Sequence, residues 1–76
     1  MPKRQIEILE VNKMKIEMKI LLAEYNSGNL ESGYNLCLES GSVHAREEYA
    51  EAWDNGDQWQ MDAAVSFALE YAELQG

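Results

Sequence analysis

Three breaks, Asn26-Ser27-Gly28-Asn29, Ser40-Gly41-Ser42 and Asp54-Asn55-Gly56-Asp57, constrain this chain more than any other feature. Each joins a glycine to short polar side chains, the residues that turn a chain and cap a helix. They delimit four segments, and the pattern within each decides what it becomes. The last is the plainest. Asp57 as N-cap with Gln60 three residues on forms a capping-box pattern, and Met61, Ala64, Val65, Ala68, Tyr71 and Ala72 recur at helical spacing. Phe67, Leu69 and Leu74 widen that stripe, so this helix is expected to touch more than one neighbour. The third segment, Ser42 to Trp53, opens on a serine cap and sets Ala45, Tyr49, Ala52 and Trp53 on one face against Glu47, Glu51 and Asp54 on another. The second, Leu30 to Glu39, aligns Leu30, Tyr34, Cys37 and Leu38 as a short helix. Gly33 weakens that helix by up to ~1 kcal/mol relative to alanine.

The first segment supports two patterns. Lys13 to Ile20 alternates polar and apolar residues, as a half-buried strand does, and Gln5-Ile6-Glu7-Ile8 begins the same alternation. An N-terminal hairpin turning at Asn12-Lys13 is therefore the alternative, although the glycine usual in a tight hairpin turn is missing. The composition favours a helix, because Met, Lys, Glu, Leu and Ala are helix formers and no breaker interrupts Lys3 to Tyr25. As a helix it carries a seam of Val11, Met14, Met18, Leu21 and Tyr25, with Ile6, Leu9, Ile16 and Ile20 on roughly the opposite side. One face serves the chain's own core and the other asks for a partner.

Size makes that second face important. With 76 residues, the chain buries only about 60% of the surface its unfolded form exposes. A fold of this size usually needs a disulfide, a metal or a partner subunit. The single cysteine, Cys37, excludes an intrachain disulfide and suits a reducing cytoplasm. Assembly through Ile6, Leu9, Ile16 and Ile20 is the expected supplement, as a homodimer. No apolar run approaches the roughly 20 residues that cross a bilayer. The start, MPKRQIEILE, places Glu7 and Glu10 where a secretory leader needs an unbroken apolar core, so export is not expected.

Charge is distributed unevenly. Residues 1–26 hold five basic and four acidic side chains, whereas residues 27–76 hold Arg46 against ten carboxylates, so the overall excess of −8 lies in the later part. Such a surface repels phosphate and anionic membrane and draws basic partners, at rates that salt reduces.

Catalytic patterns are missing where they would be sought. His44 is the only histidine, and neither Ser40, Ser42 nor Cys37 stands to it as in a nucleophile elbow or a Cys-His signature. In the first turn of its helix His44 is expected to be exposed or capping. Gly28 and Gly33 lack the lysine of a phosphate loop. Asp54, Asn55, Asp57 and Asp62 surround Gly56 without the alternation of a calcium loop, which Trp59 and Met61 interrupt. Cys37 with His44 supplies at most two zinc ligands, and Cys37 fits a buried thiol better. Neither an enzyme nor a bound metal or cofactor is expected.

Two features remain. Glu47, Glu48, Glu51, Asp54, Asp57 and Asp62 form an acidic series, with Glu47, Glu51 and Asp54 on one helical face. Like charges so placed cost a few tenths of a kcal/mol each, and Asp54 near a helix C-terminus opposes the macrodipole. Carboxylates repeating every ~6 Å can present a phosphate-like ladder to a basic groove; otherwise they form a solvated face. The tryptophans of EAWDNGDQW, Trp53 and Trp59, either pack the corner between two helices or anchor a partner that the neighbouring acids steer.

The stretch GNLESGYNLCLES resembles the turn and second helix of a tetratricopeptide unit, and GDQWQMDAAVSFALEYAEL echoes it faintly. Gly28 and Gly56 are 28 positions apart, against about 34 for that repeat, and Gly33 stands where it has a small alanine, so no functional residue is carried over.

The expectation is therefore one small acidic all-α domain, residues 1–76, of three or four helices with a long first helix. Its expected role is non-enzymatic: a protein-binding modulator that inhibits a basic, nucleic-acid-binding target by mimicking nucleic acid, without binding nucleic acid or membrane itself. Such a chain suits a phage or other mobile element that must block a host protein. The partner-binding set is Glu47, Glu48, Glu51, Trp53, Asp54, Asp57, Trp59 and Asp62. The alternative is a structural or adaptor subunit that acts through the first helix.

Overall fold

A computed structural model describes residues 16–75. They form four helices, α1 (Ile16–Asn26), α2 (Leu30–Ser40), α3 (Val43–Asn55) and α4 (Gln58–Gln75), with no strand among the described residues. The protein is all-α. Ile16 to Ile20, five of the eight residues of the alternating stretch Lys13 to Ile20, are helical because Met18 and Leu22 turn inward one helical turn apart and Tyr25 follows. Ile6 and Leu9, and the start of the expected first helix, lie outside the described residues.

The breaks end helices as their chemistry requires. Gly41 and Gly56 follow α2 and α3 in the left-handed region, at φ +83° and +66°, and their amides close onto carbonyls of the last turn. Starts are capped by side chains. Asn29 accepts from the Ser32 amide, and the Ser42 hydroxyl accepts from that of Ala45 at 3.0 Å. Asp57 caps α4 by accepting from the Gln60 amide at 3.1 Å. The reciprocal half of the expected capping box does not form. The Gln60 side chain instead crosses to α3, donating to Glu48 at 2.9 Å and to Glu51 at 3.2 Å.

Helices α1 and α2 pack as one antiparallel pair and α3 and α4 as another, while α2 also lies against both helices of the second pair. The core draws on all four: Met18, Leu22 and Tyr25; Leu36 and Cys37; Ala45, Tyr49 and Ala52; Met61, Ala64, Val65, Ala68 and Leu69. Each large apolar side chain buried this way contributes roughly 1.5–3 kcal/mol. Leu38, expected inside, is exposed, and Leu36 takes the interior position; α2 is rotated so that Ser32, Gly33, Leu36, Cys37 and Ser40 face inward.

Gly33 explains the rotation. A Cβ on it would run into the Tyr49 hydroxyl and the ring of Tyr25. Its bare backbone lets two buried tyrosines meet over α2, their ring centres 6.1 Å apart and edge to face. Each hydroxyl is used: Tyr49 donates to the Leu30 carbonyl at 2.5 Å and Tyr25 to Asp62 at 2.5 Å. The glycine that costs helix propensity thus sets how closely three helices approach.

Candidate protein-binding face

Helix α3 turns Ala45, Tyr49 and Ala52 to the core, and counting about 100° per residue puts Glu47, Glu51 and Asp54 within roughly 60° of one another on the opposite side. All three are exposed. They rise along the axis by about 6 and then 4.5 Å. Among residues 16–75 the only basic side chains are Lys19 on α1 and Arg46 on α3. Arg46 lies on a different side of α3, lining a recess with Cys37, Leu38 and Val43. Among the described residues no Lys or Arg stands on the ladder's face, and α3 has no basic residue in its last turn to offset Asp54.

The rest of the acidic series is engaged inside the protein. Glu48 and Asp62 are half-buried. Glu48 accepts from Gln60, and Asp62 accepts from Tyr25 and, at 3.2 Å, from Gln58. Asp57 is exposed but serves as the α4 cap. Eight residues expected to act together thus divide into a ladder of exposed carboxylates, Glu47, Glu51 and Asp54, of which Glu51 also accepts from Gln60 at 3.2 Å, three further carboxylates that cap or brace the helices, and two tryptophans.

Those tryptophans do not share a corner. Trp59, in the first turn of α4, is 87% exposed and packs no corner. Trp53 is 44% exposed, with its ring centre 6.2 Å from that of Tyr49. Trp53 leans toward α2, where Glu31, Tyr34, Ala50 and Asp54 complete a recess of about 340 Å³. The sequence did not flag Glu31, Tyr34 and Ala50 as site residues. A short Gly41-Ser42 connection makes α2 and α3 antiparallel, which sets the first turn of α2 beside the last turn of α3; that was the signal available.

The remaining candidates have plain roles. His44 is exposed in the first turn of α3, its ring 4.8 Å from Phe67 and edge-on to it. Cys37 is fully buried, and burial pushes its thiol up to about 12, so at neutral pH it is a protonated apolar group without nucleophilic character. No group of three or more His, Cys, Asp or Glu side chains among the described residues is placed to hold a metal. None of the described helices is long and apolar enough to cross a membrane. On α1, Ile16 is 70% and Ile20 54% exposed, two of the four residues assigned to self-association.

The chain matches no protein-family model, and no characterised protein or solved structure matches it.

Proposed function

We propose that this protein is a non-enzymatic binding modulator that inhibits a basic, nucleic-acid-binding target by laying the outer face of α3 over the surface where nucleic acid would sit. One observation carries the proposal: Glu47, Glu51 and Asp54 stand exposed in a row on a helix whose flank carries a half-exposed tryptophan, with no basic residue among the described ones on that face of the helix. Such an arrangement is unfavourable in the free protein and favourable once a basic surface meets it. Trp53, and Trp59 from α4, add the aromatic contact area typical of interface anchors. Asp57, Asp62 and Glu48 are withdrawn from the contact set, since their carboxylates cap or brace the helices. The cytoplasm is the proposed site of action.

The test is capture of binding proteins by the full chain at low and at high salt, beside a Glu47→Gln, Glu51→Gln, Asp54→Asn variant. Retention of a nucleic-acid-binding protein that salt, competing DNA and the triple variant each release supports the proposal. A partner that withstands all three overturns it. That second outcome fits the other reading, a structural or adaptor subunit, which the exposure of Ile16 and Ile20 on α1 favours. Replacing both isoleucines by serine would then release the partner.

A further inference from the structure

We propose that the recess between the start of α2 and the end of α3 receives a single arginine side chain inserted by the basic partner; this rests on the acidic-face function proposed above. Its aromatic walls are Tyr34 and Trp53, each tilted by about 50° against the buried Tyr49 with its ring centre 6.2 Å from that of Tyr49. Glu31, in the first turn of α2, and Asp54, in the last turn of α3, supply a carboxylate from each side, and Ala50 leaves the space between them open. The recess is about 340 Å³, and no basic residue among those described lines it.

Three physical arguments select arginine. First, a cation over a tyrosine or tryptophan face gains from the ring quadrupole, most of all over tryptophan. Second, two carboxylates on separate helices match a planar group with several donors, which a guanidinium is and an ammonium is not. Third, Asp54 sits at the negative end of the α3 dipole without a cation in that turn, so a guanidinium there relieves a repulsion already present in the free protein. Two ring walls, open to solvent, also fall short of the closed box that surrounds a quaternary ammonium.

The experiment titrates the full chain with two capped peptides, tetra-arginine and tetra-lysine, at low salt. The arginine peptide is expected to bind about fivefold more tightly than the lysine peptide of equal charge. Trp53→Leu and Glu31→Gln should each bring the two affinities together; Glu31 is exposed, so its variant keeps the fold even if Trp53→Leu does not. Equal affinities in the unaltered chain, lost together as salt rises, overturn the arginine recess and leave the acidic-face proposal standing. An arginine preference that persists in folded Trp53→Leu or in Glu31→Gln overturns it as well. Binding of neither peptide overturns both proposals.

Discussion

Carboxylates of the same sign and chemistry lie in two settings here. Around Tyr25 and Tyr49, Asp62 accepts hydrogen bonds from Tyr25 and Gln58, and Glu24 accepts from Ser32 at 2.6 Å. On the outer face of α3, Glu47 and Asp54 face water beside like charges. In the first region an acidic group is a structural acceptor, and removing it should destabilise the fold without touching a partner. In the second it contributes nothing to the fold, and removing it should touch only the partner. Net charge counts the two alike; their geometry separates them.

The largest expected break between the two regions comes from the interior thiol. Because burial raises the Cys37 pKa from 9.0 to about 12, the folded chain holds a proton that the unfolded chain releases above pH ~9. Stability from this group is complete below pH 9 and falls as pH rises toward 12, by on the order of 4 kcal/mol over that range. Alkaline denaturation of the unaltered chain against Cys37→Ala should show the difference, and a thiol reagent at pH 8 should react with Cys37 only as fast as the protein opens. Gly33→Ala comes next. Forcing a methyl group between two buried rings should cost about 2–3 kcal/mol in urea unfolding, despite alanine's better helix propensity. Tyr25→Phe leaves the ring and removes the donor to Asp62, for a loss of about 1.5–2 kcal/mol by the same measurement. Asp57→Ala, on the outside but acting as a cap, should cost about 1 kcal/mol. The smallest effect sharpens the comparison most. Glu47→Gln with Asp54→Asn should leave unfolding unchanged or raise stability by a few tenths of a kcal/mol, while salt-sensitive binding to a basic partner falls.

Much of this was legible in the sequence, for reasons tied to short-range chemistry. Asn29, Ser42 and Asp57 announce helix starts, Gly41 and Gly56 announce helix ends, and Ala45, Tyr49 and Ala52 announce an inner face, because each acts within a turn or two of its own position. The outward placement of Glu47, Glu51 and Asp54 follows from the same periodicity. What the sequence hid depends on packing between helices. Leu36 rather than Leu38 is buried because Gly33 must face Tyr25 and Tyr49, and no local pattern carries that requirement. Gln60 abandons its expected cap because α3 offers it two carboxylates. Trp53 and Trp59 fall on the two helices that the break at Gly56 announces, but their unequal fates, Trp53 leaning on Tyr49 and Trp59 left to solvent, were not legible. Tyr34 and Glu31 meet Trp53 only through the pairing of α2 with α3.

The unequal exposure of the two tryptophans also has an optical consequence. Trp59 is nearly as wet in the fold as in the unfolded chain, so its emission should scarcely move on denaturation, whereas Trp53, leaning on Tyr49, should carry the spectral shift. The surface that surrounds them attracts caesium and repels iodide. Collisional quenching by that pair of ions would gauge the local field around each indole, with Trp53→Phe and Trp59→Phe variants separating the two signals. One protein thereby carries two natural fluorophores, one reporting on its packing and the other on the solvent at its acidic surface.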